Sequence, residues 1–153
     1  MRRLLLSISF CLLCFCVFSQ ENTDTACRFR FNGESASRYS LVLESERINI
    51  SGICMMSRNG NVIKGIVFNE FGIRAFDFEC DIEKQKFVMN GAIGFLNRRV
   101  VKKIVGKDFL FMLSAESQCS EKNRRFYCEN DSEFILVNDK NKIKYIFAEI
   151  SNS

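Results

Sequence analysis

Between positions 48 and 89, apolar and polar residues alternate in short β-branched and aromatic runs, and turn-forming residues interrupt them at regular intervals. A period of two with such breaks predicts an antiparallel meander of half-buried strands. Asn59-Gly60 is the strongest turn signal, because both central residues of a type I′ turn need positive φ. A two-residue turn there sets Met56 opposite Ile63, Cys54 opposite Gly65 and Gly52 opposite Val67, with Ile53 facing Ile66 and Met55 facing Lys64 on the other side.

The next connection, Glu70-Phe71-Gly72-Ile73, pairs Val67 with Phe76, Gly65 with Phe78 and Ile63 with Cys80 if it is a four-residue loop, and sets Lys64 against Glu79 on the polar face. Turn chemistry alone favours a three-residue loop with Gly72 as a G1 bulge. That loop slips the register by one and places Asp77 and Glu79 on the apolar face. A buried face specifies register more strongly than a surface turn, so the longer loop is expected. A third turn at Glu83-Lys84 places Phe87 beside Cys80, Met89 beside Phe78 and Asp81 beside Lys86. One face is then apolar throughout: Ile48, Ile50, Cys54, Met56, Ile63, Val67, Phe76, Phe78, Cys80, Phe87 and Met89, with Gly65 leaving room beside Phe78.

Outside the meander, Cys27 to Phe31 and Tyr39 to Leu43 alternate like strands around an Asn32-Gly33 turn and extend the sheet. From Ala92 to Ser114 the period changes. Leu96, Val100, Val101, Ile104, Val105, Phe111 and Met112 recur at helical spacing, with Arg98, Arg99, Lys102 and Lys103 opposite, which predicts one amphipathic helix that Gly106 is able to divide. Three further strands are read at Arg124 to Cys128, Glu133 to Val137 and Lys142 to Glu149. The expected fold is mainly β, of α+β class: a curved antiparallel sheet or half-barrel wrapped round one helix.

Met1-Arg2-Arg3 followed by an apolar run to Phe18 has the charged and apolar regions of a secretory signal peptide, giving a leader at 1–19 and one domain at 20–153. The run is shorter than the roughly 20 residues a spanning helix needs. Lipidation at Cys11, Cys14 or Cys16 is the less favoured alternative, because Phe10, Leu13 and Phe15 precede them where a small residue is needed. The expected location is periplasmic or envelope-associated.

Removing Arg2 and Arg3 lowers the formal net charge of +4 by two, since all 18 acidic residues follow the leader. That balance does not suit a whole-surface nucleic-acid binder. The absence of histidine excludes Ser-His-Asp and Cys-His nucleophiles, histidine metal sites and a histidine base. Five cysteines follow the leader: Cys27, Cys54, Cys80, Cys119 and Cys128. An odd count leaves at least one unpaired in a monomer. Cys54 and Cys80 share a face but are separated by a strand, so buried thiols are expected. Cys119 and Cys128 flank a polar stretch and either close a local loop or stay reduced.

The paired carboxylates Asp77 and Glu79 have Lys64 and Lys86 as partners, and an ordinary solvated strand face accounts for them better than a glycosidase pair. A solvated helix face likewise accounts for Arg98, Arg99, Lys102, Lys103 and Lys107 before any anionic lipid does. Asn49-Ile50-Ser51 and Asn130-Asp131-Ser132 match the glycosylation sequon, which is frequent by chance. No catalytic residue, metal site or cofactor is expected.

Ile50-Ser51-Gly52-Ile53, Ile63-Lys64-Gly65-Ile66-Val67-Phe68, Asn69-Glu70-Phe71-Gly72, Phe76-Asp77-Phe78-Glu79 and Gly106-Lys107-Asp108-Phe109 together resemble the lipoprotein-carrier superfamily of the Gram-negative envelope, over residues 48 to 113. The resemblance implies a curved sheet around a helix with an apolar cavity for acyl chains, and so a non-enzymatic binder of lipid or lipoprotein. Met56, Val67, Phe76, Phe78, Phe87, Met89 and Phe111 are the expected cavity residues, and Arg98, Arg99, Lys102 and Lys103 the residues for anionic headgroups or a partner. An envelope interaction protein with a filled core is the alternative. Open volume lined by Phe76, Phe78, Met89 and Phe111 separates the two.

Overall fold

The structure is a computed structural model and describes residues 27–31, 35–46 and 49–150; the leader at 1–19, the Asn32-Gly33 turn and Ile48 lie outside the described residues. Among the described residues the strands are β1 (Ser37–Ser45), β2 (Asn49–Asn59), β3 (Val62–Asn69), β4 (Arg74–Asp81), β5 (Lys86–Asn90), β6 (Cys119–Glu121), β7 (Arg124–Asn130), β8 (Glu133–Asn138) and β9 (Ile143–Glu149), with one α-helix, α1 (Arg99–Leu113). They form one antiparallel sheet of order β5-β4-β3-β2-β1-β9-β8-β7-β6. Two meanders, β1 to β5 and β6 to β9, are therefore joined along the β1–β9 pair.

The sheet is open and bends round the helix. The Phe109 ring of α1 lies 6.0 Å from that of Phe76 on β4 and 5.9 Å from that of Phe147 on β9. Those strands are four steps apart in the sheet, a separation of roughly 19 Å if it were flat. Sharing one aromatic neighbour requires the two halves to curve toward each other. The fold is thus the mainly-β half-barrel around a helix that the alternation implies.

The registers of β3 with β4 and of β4 with β5 match the sequence reading: Ile63 pairs with Cys80, Gly65 with Phe78, Val67 with Phe76, Phe78 with Met89 and Cys80 with Phe87. The turn at its tip combines both expected geometries. Gly72 is left-handed (φ 74°), and the Asn69 N–H donates to the Ile73 carbonyl at 2.9 Å, closing a three-residue loop. The resulting slip is absorbed by a bulge between Val67 and Phe68, which restores the apolar face and turns both Ala75 and Phe76 inward.

The first hairpin corrects the sequence reading. Asn59 pairs with Val62, so Gly60-Asn61 rather than Asn59-Gly60 is the central pair, with Gly60 alone at positive φ (58°), the requirement of a type II′ turn. Every pairing moves by two: Cys54 faces Val67, Met56 faces Gly65, Ile53 faces Phe68 and Gly52 faces Asn69. A shift of two preserves which face each side chain takes, so the same residues stay inside.

Three other expectations change. Cys27 to Phe31 pairs with no strand; its Arg30 carbonyl accepts from Ser37 Oγ and Tyr39 Oη, and Phe29 stacks among Tyr39, Phe126, Phe134 and Phe147. The disulfide joins Cys27 to Cys128, while Cys119 is an exposed thiol on β6, a strand the sequence did not suggest. Closing a loop of 101 residues stabilises by roughly 4 to 5 kcal/mol in the chain-entropy account. Finally, the single helix read from Ala92 to Ser114 is a 3₁₀ turn (Gly94–Asn97) followed by α1, which Gly106 does not divide. Gly106 instead lets the helix approach Phe87, whose ring would lie 3.0 Å from an added Cβ. Val100, placed on the apolar stripe by its spacing, is 69% exposed.

Candidate functional site

Under the helix the aromatic side chains interlock. The ring of Phe109 is 5.3 Å from Phe78, 5.7 Å from Phe87 and 6.0 Å from Tyr145, and Phe78 stacks on Phe87 at 5.4 Å. Of the expected cavity residues, Met56, Val67, Phe76 and Phe78 are buried in this cluster, whereas Phe87, Met89 and Phe111 are half-buried against it. The middle of the half-barrel is filled.

Space remains at one end, where β1 ends, β2 begins and the β3–β4 hairpin turns. A crevice of about 30 Å³ lies there between Leu41, Leu43, Ile50, Val67, Ala75 and Phe76 of the sheet and Leu96, Val105 and Phe109 of the helical segment, and the wall it presents is carbon throughout. Only Val67 and Phe76 of the expected residues reach it. The β-bulge creates it, by turning small Ala75 inward beside Phe76. Gly52 allows the tight closure of its wall, since a Cβ there would lie 1.9 Å from the Phe68 carbonyl oxygen. The 3₁₀ turn adds Leu96, its one buried residue, to the lining and is tied to the sheet by the Ile93 N–H, which donates to the Ala75 carbonyl at 3.0 Å.

The two segments that adjoin these lining residues carry exposed apolar and cationic side chains. Phe71, 78% exposed, and Ile73 stand on the hairpin tip, where Asn69 Oδ1 accepts from both their N–H groups at 3.0 and 2.8 Å. Ile93 and Val100 are exposed on either side of Leu96. Arg98, Arg99 and Lys103 are exposed and Lys102 half-buried at the start of α1, which has no acidic residue in its first turn and no side-chain cap. Cations at a helix N-terminus oppose the macrodipole by about 0.3 to 1 kcal/mol each, so helix stability does not explain them. Among the described residues none of the four enters a side-chain ion pair.

The other end of the helix is fastened by a group the sequence reading missed. Asp108 is fully buried and accepts from Arg124 Nε at 2.6 Å, from Asn138 Nδ2 at 2.8 and 3.0 Å, and from Tyr145 Oη at 2.9 Å. One carboxylate thus binds α1 to β7, β8 and β9, and these donors offset the cost of burying it in an apolar core. Burial, followed by the Asp108 charge, pushes the Tyr145 hydroxyl well above its ordinary range, so it stays a donor. The available signal was the spacing: Asp108 sits three after Val105 and four before Met112 on the buried stripe, where a charge requires partners.

Asp77 is paired with Arg74, and Glu79 with Lys64 at 3.3 Å, on the outer face of the sheet. Cys54 and Cys80 are buried thiols, and desolvation, aided by Asp81, pushes Cys80 up to about 11, which leaves it protonated and unreactive at neutral pH. No protein-family model, curated protein or solved structure matches this chain. Its function is therefore read from its own geometry.

Proposed function

We propose that this is an exported, non-enzymatic binding protein that takes the end of an acyl chain, from lipid or lipoprotein, into the crevice beneath the 3₁₀ turn. The observation that carries the reading is the crevice wall: carbon throughout, partly open, and framed by a bulge and a close glycine contact. The resemblance to lipoprotein carriers supports the same class, and the Cys27–Cys128 disulfide suits an oxidising compartment. At about 30 Å³ the crevice holds little more than a methyl group, whereas a benzene-sized guest needs roughly 150 Å³. Binding a longer segment therefore requires Leu96 to lift out with its turn, pivoting on Gly91 and Gly94 that precede it, both left-handed. Each methylene then buried contributes about 0.8 kcal/mol.

A fluorescent fatty-acid displacement assay tests this. Leu96→Ala enlarges the crevice and is expected to tighten binding, while Leu96→Trp fills it and is expected to weaken binding. Absence of binding by wild type and Leu96→Ala alike, with an intact β-rich circular dichroism spectrum, would favour the interaction-protein reading, which the interlocked Phe76, Phe78, Phe87 and Phe109 rings support.

A further inference from the structure

We propose that the protein docks crevice-first on an anionic bilayer surface, with the Phe71 hairpin tip entering the interfacial layer and Arg98, Arg99, Lys102 and Lys103 meeting the headgroups. The inference rests on the acyl-chain reading only for what the crevice receives; the docking surface stands on its own residues. Asn69 links the two, because it lines the crevice and also holds the tip, its Oδ1 fixing the Phe71 and Ile73 N–H groups. Phe71 is therefore presented on a turn whose backbone is tied by hydrogen bonds. Near Leu96, which lines the crevice, Ile93 and Val100 are exposed, and the four cations follow Leu96 within two turns of helix.

Charge complementarity selects the partner. The whole chain carries only +4, so the cation cluster is a local feature, and it lies where it disfavours the helix. Aromatic and aliphatic tips beside Lys and Arg are the composition of interfacial membrane binders, and Lys102 and Lys103 weigh against a protein partner, because Lys, unlike Arg, is depleted from protein–protein interfaces. Long basic side chains also cover apolar surface with their stems while their charged ends reach phosphate.

The full chain contains no tryptophan, so Phe71→Trp introduces a single reporter. Asn61→Trp, in the turn at the opposite end of β3, is its control. The expected result, on vesicles of equal parts phosphatidylcholine and phosphatidylglycerol, is a blue shift and quenching by brominated acyl chains for Phe71→Trp and neither for Asn61→Trp. Neutralising Arg98, Arg99, Lys102 and Lys103 to Gln should reduce partitioning about fivefold per cation, several-hundred-fold together, with the loss shrinking in salt. Equal responses at the two tryptophans, or a silent Phe71→Trp on bound protein, would overturn the docking geometry. Equal binding to phosphatidylcholine alone would overturn the role of the cations. No vesicle binding, with an acidic protein captured through the same residues, would replace the bilayer by that partner. Fatty-acid displacement without vesicles reads the crevice alone, so either proposal is able to fail while the other stands.

Discussion

Gly65 offers a direct measurement of how tightly the half-barrel is filled. A Cβ added there would lie 2.3 Å from Cζ and 2.4 Å from Cε1 of Phe78, and 3.0 Å from the Met55 carbonyl oxygen. The backbone contact prevents the new methyl group from retreating, so Phe78 has to move. Phe78 is only 2% exposed, with Phe87 stacked on it at 5.4 Å and Phe109 edge-on at 5.3 Å, and a shift would disturb both. Overpacking of this kind costs about 1 to 3 kcal/mol. Loss of glycine's freedom in the unfolded chain offsets roughly 0.4 to 1 kcal/mol. Gly65→Ala should therefore destabilise by about 1 to 2 kcal/mol, and Gly65→Leu by more. Urea denaturation followed by circular dichroism reads this as a lower midpoint at constant slope. Phe78→Leu makes room at the site, so the double variant should be more stable than the sum of the single losses by about 0.5 to 2 kcal/mol. An unchanged midpoint for Gly65→Ala, or strict additivity in the double variant, would refute the contact and the close packing inferred from it.

Removing the buried carboxylate with Asp108→Ala strands the Arg124 guanidinium, the Asn138 amide and the Tyr145 hydroxyl, and should cost about 3 to 5 kcal/mol in the same denaturation experiment; a loss below about 1 kcal/mol would show that water replaces the network. Alkaline pH should destabilise the fold. Burial raises Cys80 from 9.0 to about 11, and burial with the Glu149 charge raises Tyr39 from 10.0 to about 12, so the folded state binds these protons more tightly than the unfolded chain. Their contribution is complete below about pH 9 and is lost as pH rises through the folded values, which falling midpoints measured from pH 8 to 12 would record. Alkylation without reductant should label Cys119 in the native protein and Cys54 and Cys80 only after unfolding, with Cys27 and Cys128 recovered as one bridged peptide. A peptide bridging Cys54 to Cys80 would contradict the strand order.

Period-two alternation alone determined which residues of the meander face inward, because a side chain's face depends on parity. That is why β2 could shift by two against β3 without exposing Met56 or Cys54, and why the β3–β5 registers were legible. The turn chemistry was legible only as a choice. Asn59-Gly60 and Gly60-Asn61 are both acceptable hairpin pairs, and the wider sheet selected the second. At Gly72 the G1 loop and the apolar-face register seemed exclusive alternatives, yet a bulge inserting Ala75 accommodated both and in doing so formed the crevice wall. The cations and the Phe71 tip were visible as residues, but the sequence did not show that the hairpin behind Phe71 and the 3₁₀ turn before the cations line one crevice.

What only the tertiary structure decided are the contacts between distant positions. Cys128 pairs with Cys27, 101 residues away, because the segment at 27–31 lies across the second meander, and no local pattern encodes that path. Asp108 finds its partners 16 to 37 residues further along the chain, on three strands whose curvature brings them to the helix. The filled centre has the same origin. Apolar patterning determines that Phe76, Phe78, Phe87 and Phe109 are inside, but their interlocking depends on how far the sheet bends, which is set by nine twisted strands closing on one helix and is absent from any single stretch of sequence.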